Sequence, residues 1–487
     1  MQKPKSQAAP AAKDAPAIED WDAYVEDFVK AAHEAVDWIG GYLKETRRYP
    51  VLPSVKPGEL IDALPARAPE RGEPYSALMR DFDRQIMPAV THWNHPGFMA
   101  YFGTTGSTPA ILGEMLSAAL NTNGLHWKTS PAVAELEQVA LGWLREWIGL
   151  PPEFFGIIFD TASTSSMHAL VAARQFICPD ARVEGSTPGL IVYTSEQSHS
   201  SIEKGAIAIG MGQNNVRKVP VDSKFRMRAD ALARLMEDDV RAGKKPACVV
   251  ATVGTTSTTS VDPVEEIVQL CERHGAWLHV DAAYAGVVAL LPDRRAPFAG
   301  WERADSIVVN PHKWLFTPVD CSVMLVRESA ALRNAFSLVP DYLRTDEEGV
   351  TNLMDYGIQL GRRFRALKLW MVIRAFGVAG IRDRIRYHCA LAQELAGWVR
   401  AEPGFELAAP VPFSVVCCRV VRGAGGEEQD RVNERVLARV NAAGPVFISP
   451  TRLRGRLVLR VAIGNLRTER RHVEAVWALI RQAAATA

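Results

Sequence analysis

The 487-residue sequence lacks several features that mark particular classes of protein. No uninterrupted apolar stretch approaches the roughly 18 residues that a membrane-spanning helix needs. Residues 1–17 are rich in Ala, Pro and Lys without the apolar centre of a signal peptide, and we expect a disordered tail there. With 56 basic and 55 acidic side chains, neither a nucleic acid nor a membrane surface is favoured as a partner.

Metal and nucleotide signatures are missing as well. The seven cysteines are scattered, odd in number and without C-x-x-C spacing, so they predict no metal site. They suggest buried free thiols in a reducing compartment, and we expect a cytoplasmic protein. Neither a G-x-G-x-x-G motif nor a Walker loop accompanies the predicted strands, which indicates that the sheet serves another ligand.

Hydrophobic periodicity divides the rest of the chain into three regions. The apolar spacing in residues 18–107 predicts a helical segment, in which a long amphipathic helix over residues 20–46 is followed by proline-rich stretches. That segment cannot form a compact core alone, so we expect it to pack on a second subunit. In a large domain over residues 108–370, strands alternate with helices, which predicts an α/β fold with a mostly parallel sheet. Residues 371–487 predict a small α+β domain.

Polar residues follow several predicted strands, at the edge where open α/β sheets bind their ligands. Thr161, Ala162 and Ser163 lead into a helix, where free N–H groups and hydroxyls could cradle a phosphate or simply cap the helix. His199 could stack on an aromatic cofactor and transfer protons, although a lone histidine is also explained by packing or surface exposure. Taken alone, neither group identifies a site.

Two further groups point to pyridoxal 5′-phosphate (PLP). Asp281 closes an apolar strand, where a carboxylate is costly unless it meets a cation such as the pyridinium nitrogen of PLP, and Ala283 would leave room for the ring. Lys313 follows the strand predicted over residues 306–309 and is well placed for a Schiff base, with Asn310 and His312 able to reach the phosphate. The chain thus contains, in this order, a phosphate-binding turn, a histidine that can stack on a ring, a carboxylate and a lysine. This order predicts a PLP enzyme.

These motifs also carry a family resemblance. Residues 310–314 (NPHKW) and 279–286 (HVDAAYAG) resemble those of group II PLP-dependent decarboxylases, and particularly of the aromatic-L-amino-acid decarboxylases. The likeness runs from about residue 26 to residue 463. It implies the fold type I architecture with a seven-stranded sheet, and an obligate homodimer with shared active sites. It further implies that Lys313 forms the internal aldimine, that Asp281 meets the pyridine nitrogen and that His199 covers the ring.

The resemblance assigns the remaining contacts. Thr255 would lie near the phenolic oxygen of the cofactor or the substrate carboxylate. The residues implied to hold or adjoin the phosphate are Thr161, Ala162, Ser163, Asn310 and His312. The residues implied to line the substrate pocket or to influence substrate choice are Trp93, Tyr101, Phe102, Thr104, Leu125 and Gln359. Because Gly103, Leu125 and Gln359 depart from the family pattern, the preferred aromatic side chain stays open.

A polar stretch over residues 341–355 predicts a mobile loop that carries Tyr342. In the family, the matching tyrosine of the partner subunit protonates the quinonoid carbon after carbon dioxide leaves, and phenylalanine there favours oxidative deamination. We therefore expect α-decarboxylation of tryptophan, tyrosine, phenylalanine or dihydroxyphenylalanine to the arylalkylamine. The alternatives are decarboxylation-dependent oxidative deamination to an aldehyde, transamination, or a non-catalytic PLP-binding scaffold.

Overall fold

The computed structural model describes residues 20–185, 188–338, 347–421 and 425–487, so the predicted disordered tail lies outside the described residues. The chain begins with α1 (Trp21–Glu45), which starts where the Asp20 side chain accepts the Ala23 N–H. None of the α1 residues is buried within the single chain. Two short helices follow, α2 (Glu59–Ala63) and α3 (Tyr75–Asp81). The prediction of a long N-terminal helix is confirmed.

A seven-stranded sheet forms the centre of the large domain. Its strands are β1 (Phe155–Phe159), β2 (Leu190–Ser195), β3 (Val216–Val219), β4 (Lys245–Thr252), β5 (Trp277–Asp281), β6 (Ser306–Val309) and β7 (Ser322–Val326). They lie in the order β1-β7-β6-β5-β4-β2-β3, with β7 antiparallel to both neighbours and parallel pairing from β6 to β3. This mostly parallel sheet confirms the predicted fold class.

Helices cover the sheet, so its central strands are buried on both faces and consist largely of apolar residues. The helices of this domain are α4 (Thr108–Leu120), α5 (Pro131–Trp147), α6 (Ala162–Ile177), α7 (Ala181–Glu184), α8 (Ser201–Ala208), α9 (Ala229–Arg241), α10 (Val264–His274), α11 (Pro311–Trp314) and α12 (Ser329–Phe336). They leave the carboxyl ends of β4, β5 and β6 to the loops that carry the candidate site.

Because Asp262 precedes Pro263 and an apolar-periodic stretch, the sequence predicts that Asp262 caps α10, and this prediction is wrong. Its carboxylate accepts the backbone N–H groups of Met227 and Thr252 instead, and the helix begins at Val264. These two backbone donors hold the carboxylate away from the start of the helix. The edge strand β3 was missed because Arg217 and Lys218 interrupt its apolar pattern.

The C-terminal region is built on an antiparallel sheet. Its elements are α13 (Arg365–Ala401), β8 (Phe405–Leu407), β9 (Val415–Val420), α14 (Glu427–Ala442), β10 (Ser449–Leu453), β11 (Arg456–Ala462) and α15 (Arg470–Ala485). The four strands lie in the order β10-β11-β9-β8. Gly377 interrupts α13 with a φ of 60°, a conformation that favours glycine, where the sequence predicted a helix end. The predicted domain boundary at residue 370 falls within the first part of α13.

Within the described ranges, no helix is long and apolar enough to cross a lipid bilayer. The cysteines form no disulfide, and all but Cys178 are buried. Their burial raises the pKa of thiols such as Cys321, to about 12. These thiols are therefore packed as small apolar side chains rather than poised for reaction.

Candidate active site

A cavity of about 170 Å³ opens beside the carboxyl ends of β4, β5 and β6. It is lined by Phe102, Thr161, Ala162, Ser163, His199, Ser201, Thr252, Gly254, Thr256, Asp281, Ala283, Tyr284, Asn310, His312 and Lys313. The structure thus brings together residues from the ends of successive strands, as expected for ligand sites in open α/β sheets. Most residues predicted to contact the cofactor are among them.

At the start of α6, one side chain caps the helix and two backbone N–H groups stay available to bind an anion. The Thr161 side chain accepts the N–H of Thr164 at 3.5 Å, so Thr161 is the N-cap that one reading of the sequence expected. The N–H groups of Ala162 and Ser163 lie in the first turn, where helix geometry provides no acceptor. Capping and phosphate binding are therefore compatible here, because they use different groups of the same turn.

Asn310 and His312 present two hydrogen-bond donors at the opposite wall of the cavity. His312 Nδ1 accepts the N–H of Cys321 at 3.0 Å, so the neutral ring carries its proton on Nε2. Asn310 Oδ1 accepts the Ser322 hydroxyl at 2.7 Å, which directs the Nδ2 amide group toward His312 Nε2, 3.2 Å away. Because both nitrogens are donors, they cannot bond to each other and need an acceptor that both can reach. A phosphate oxygen is such an acceptor.

The Lys313 amine is held at the cavity by the backbone around α11. The Asn310 N–H donates to the carbonyl of Ala283, and the Lys313 N–H donates to the carbonyl of Asn310, both at 3.0 Å. Burial lowers the pKa of Lys313, the Asp281 carboxylate raises it, and the Arg460 guanidinium lowers it; the net shift is downward. A lowered pKa increases the fraction of free amine, which is the form that attacks an aldehyde.

His199 and Asp281 complete the polar part of the site. The Ser201 N–H donates to His199 Nδ1 at 3.2 Å, so the neutral imidazole carries its proton on Nε2. Although part of the ring is exposed, burial of the rest lowers the pKa of His199; Asp281 raises this pKa and Lys313 lowers it. Asp281 is buried and accepts the Ala283 N–H at 3.1 Å, which fixes its carboxylate at the end of β5.

An aromatic stack forms one wall of the cavity. Phe102 lies on Tyr284 with ring centroids 3.8 Å apart, and Tyr284 lies on Trp314 at 4.6 Å. Lys313 Nζ is 5.2 Å from the centroid of Phe102. A flat apolar surface therefore stands directly beside the candidate reactive amine.

Other predicted substrate residues do not line this cavity in the single chain. Trp93 and Tyr101 stack on each other at 6.0 Å and remain 37% and 54% exposed. The remaining residues that do not line it are Thr104, Leu125 and Gln359. Tyr342 lies outside the described residues. Of the described residues predicted to bind the substrate, the cavity therefore contains Phe102, whereas it contains most of those predicted to bind the cofactor.

Thr255 lies between two residues that line the cavity but does not line it itself, and its implied place near the cofactor or the substrate carboxylate stays a prediction. Its hydroxyl lies 3.0 Å from that of Thr258 and accepts the Ser260 N–H at 3.0 Å, so it stabilises its own turn. Gly254 and Thr256 line the cavity in its place. Gly254 has a φ of +95°, and a Cβ there would stand 2.5 Å from the Cβ of Ala285. The turn thus requires glycine next to the site.

Several lining residues escaped the sequence analysis. Ser201 and Thr252 had no distinguishing pattern, because isolated hydroxyl residues occur throughout the chain. Thr256 directly follows Thr255, the residue that the resemblance assigned to the site. Tyr284 belongs to the noted motif around Asp281, and its stacking on Phe102 depends on tertiary contacts that spacing does not reveal.

Comparison with known proteins agrees with this geometry. Residues 57–421 match the model of the pyridoxal-dependent decarboxylase conserved domain. The chain is 40% identical to the aromatic-L-amino-acid decarboxylase of Sus scrofa over 479 residues, 94% of this chain and 96% of that protein. It superposes on Oryza sativa TDC, solved with PLP and tryptamine, with a TM-score of 0.92, 38% identity and coverage of 95% and 98% of the two chains.

A third relative is the 4-hydroxyphenylacetaldehyde synthase of Rhodiola rosea, whose crystal structure matches with a TM-score of 0.89 and 31% identity over 95% of this chain and 98% of that one. The family match spans most of the sequence, and the donors around Asn310 and the amine of Lys313 fit the phosphate and the aldehyde of the cofactor. The chain therefore belongs to the family of group II pyridoxal-dependent decarboxylases, and its cofactor is PLP.

Proposed function

We propose that this protein removes the α-carboxylate of an aromatic L-amino acid as carbon dioxide and releases the arylalkylamine. The observation that carries the proposal is the stacked ring of Phe102 beside the Lys313 amine. An apolar, flat wall favours a planar aromatic side chain, because ring stacking adds to the burial of apolar surface. The named activity of the Sus scrofa relative supports the same substrate class.

Each polar residue of the cavity has its own proposed role in binding or activating the cofactor. PLP, when bound, accepts the electrons released from the bond between Cα and the carboxylate. Lys313 would hold the cofactor through its amine. The buried Asp281 carboxylate would keep a proton on the pyridine nitrogen. The phosphate would be held by the Ala162 and Ser163 amides together with the Asn310 and His312 donors, and His199 would adjoin the ring.

Tyr342 is proposed to deliver the final proton to Cα. Polar contacts hold the described residues that flank Tyr342 on either side of its segment. The Ser337 hydroxyl donates to Asp355 at 2.8 Å, and Lys128 pairs with Glu347 at 3.3 Å. A phenol brought to the site by this segment can protonate Cα before oxygen reacts there.

The proposal includes a homodimer, because large apolar side chains stand exposed on two helices. On α1, Trp21 is 64% and Phe28 52% exposed, and on α4, Leu112 is 52% and Leu120 63% exposed. Faces of this kind are expected to be covered by protein. A second copy would also close the substrate side, where the partner's Tyr342 would reach the site.

A panel of L-amino acids tests the reaction and its substrate class. Tryptophan, tyrosine, phenylalanine and dihydroxyphenylalanine are incubated with the PLP-loaded protein, with glutamate and histidine as non-aromatic and weakly aromatic controls. We expect equal yields of carbon dioxide and amine from at least one of the first four, without hydrogen peroxide. Aldehyde with equimolar peroxide would favour the oxidative reaction that the Rhodiola rosea relative suggests, and absence of any turnover would favour a scaffold.

A further inference from the structure

Arg460 lies on β11 of the small sheet, opposite Cys417 on β9, and is only 3% exposed. Its Nε donates to the carbonyls of Thr256 and Ser257, each at 3.1 Å. Its Nη1 donates to the carbonyl of Tyr101 at 2.6 Å. One guanidinium thus joins the small sheet, the turn after β4 and the segment that carries the aromatic wall.

The same guanidinium lies against the ring that faces Lys313. Arg460 Cζ is 4.7 Å from the centroid of Phe102, and Lys313 Nζ is 5.2 Å from it. Tyr284 stacks on the same ring, with the two centroids 3.8 Å apart. The Nη2 group of Arg460 is buried and has no hydrogen-bond partner within the described part of the chain.

We propose that Arg460 is a positioning residue for the reactive Lys313. Arg460 fixes the ring of Phe102 through its hydrogen bond to the Tyr101 carbonyl, and it keeps an uncompensated positive charge beside Lys313. The inference rests on Lys313 being the lysine that carries the cofactor. It adds a residue of the small sheet to the site, although Arg460 does not itself line the cavity.

The two roles depend on different properties of arginine. Fixing the wall needs the planar fork of N–H donors, since three carbonyls are bound at once, and lysine cannot reproduce that geometry. Keeping a positive charge near Lys313 needs only a cation. A neighbouring cation disfavours the ammonium form, so Arg460 lowers the pKa of Lys313 while Asp281 raises it. Substitutions that keep or remove the charge therefore separate the two roles.

The test compares Arg460→Gln, which removes the charge, with Arg460→Lys, which keeps it. Arg456→Gln is the matched control, because Arg456 lies on the same strand but is exposed and pairs with Glu406 at 3.2 Å. In PLP-free protein, modification of Lys313 by an acylating reagent is followed by mass spectrometry as a function of pH. A second assay measures KM for the best aromatic substrate of the loaded enzyme.

We expect Arg460→Gln to raise the pH midpoint for Lys313 modification by about one pH unit or more, the size expected from losing a nearby charge. Arg460→Lys should keep the midpoint within a few tenths of a unit of the parent protein, and Arg456→Gln should leave it unchanged. KM should rise by about 3- to 10-fold in both Arg460 variants, because both lose the bonds to the carbonyls.

An unchanged midpoint in Arg460→Gln would overturn the electrostatic role, and an unchanged KM in both variants would overturn the positioning role. If Arg460→Gln does not fold, the parent protein still decides one point, because a Lys313 midpoint at or above the ordinary value of about 10.5 contradicts a nearby uncompensated cation. The lysine assay needs no turnover, so its failure is distinguishable from failure of the proposed decarboxylation.

Discussion

The two sides of the active site differ in how completely one chain builds them. The cofactor side comes from the ends of strands in a single sheet, and its residues are held by backbone hydrogen bonds such as that from the Asn310 N–H to the Ala283 carbonyl. On the substrate side, Phe102 lines the cavity, while Trp93 and Tyr101 stand exposed outside it. The first side is thus built within the fold of the single chain, whereas most residues predicted for the second lie outside the cavity.

This difference follows from what each side must do. Bond breaking at Cα is common to the whole family, so its residues can be fixed rigidly at strand ends. Choice of the amino-acid side chain is a separate property, which can vary without disturbing the sheet. Substitutions on the cofactor side should therefore weaken cofactor binding or abolish turnover, whereas those on the substrate side should change products or KM.

Lys313→Ala should give the largest effect, because it removes the amine that anchors PLP. We expect turnover to fall by about 10⁴-fold or more, and the visible absorption band of the protein-bound cofactor to disappear. Lys224→Ala, at an exposed lysine, is the control and should retain both. A persistent absorption band in Lys313→Ala would show that another lysine carries the cofactor.

Tyr342→Phe tests the substrate side with a large effect on products. Loss of the phenol should lower amine formation by about 10² to 10⁴-fold, the usual contribution of a positioned proton donor. Carbon dioxide release should continue, with aldehyde and peroxide rising together. The measurement is the ratio of amine to aldehyde by chromatography. An unchanged ratio would remove Tyr342 from the mechanism and leave proton delivery to another group.

Acid should destabilise the large domain through its buried histidines. Burial lowers the pKa of His168, His279 and His312 to about 4 each. Histidine in an unfolded chain has a pKa near 6.5, so below that pH the unfolded chain binds protons that the native state does not bind. Stability is therefore unaffected above about pH 6.5 and falls between 6.5 and 4, by at most about 1.4 kcal/mol per pH unit for each histidine.

Urea unfolding at several pH values measures this loss. The His279→Gln variant should reduce the slope by about one proton, since His279 bonds Ser306 and Ser166 inside the fold. His33→Gln, at an exposed position of α1, should leave the slope unchanged. Equal slopes in all three proteins would show that other groups control the acid transition.

The sequence predicted the cofactor side better than the substrate side, for physical reasons. Strand ends in a parallel sheet lie at a common edge, so Asp281 and Lys313 could be brought together from pattern and resemblance alone. The cavity is lined by Thr256 rather than by Thr255, and spacing does not show which of two neighbouring hydroxyls faces inward. Arg460 could not be placed near the site from the sequence, since its contacts join segments far apart in the chain.

The same contrast explains which parts of the fold were predicted. The buried strands β6 and β7 were predicted with the bounds that they have, because continuous apolar residues mark strands covered on both faces. The edge strands β3 and β10 were missed, since one contains two basic residues and the other contains Pro450 and Arg452. Strands at the edge of a sheet have fewer neighbours, and their sequences are correspondingly less constrained.

Asn310→Ala probes the phosphate donors with a moderate effect. The variant removes one of two adjacent donors and the acceptor of the Ser322 hydroxyl, so PLP affinity should fall by about 10- to 100-fold. Equilibrium dialysis of PLP against the cofactor-free protein measures the change. The control is Asn214→Ala, which lies outside the cavity. Unaltered affinity would mean that the α6 amides alone hold the phosphate.

Phe102→Leu should have the smallest effect and the most specific one. Leucine keeps an apolar wall but loses the stack on Tyr284 and the planar surface beside Lys313. Aromatic stacking contributes about 0.5 to 1.5 kcal/mol beyond area burial, so KM for the aromatic substrate should rise by about 2- to 10-fold with kcat less changed. PLP affinity should stay near that of the parent protein, because the phosphate donors are untouched. If PLP affinity fell as much as in Asn310→Ala, the wall would belong to the cofactor side, and the division between the two sides would have to be redrawn.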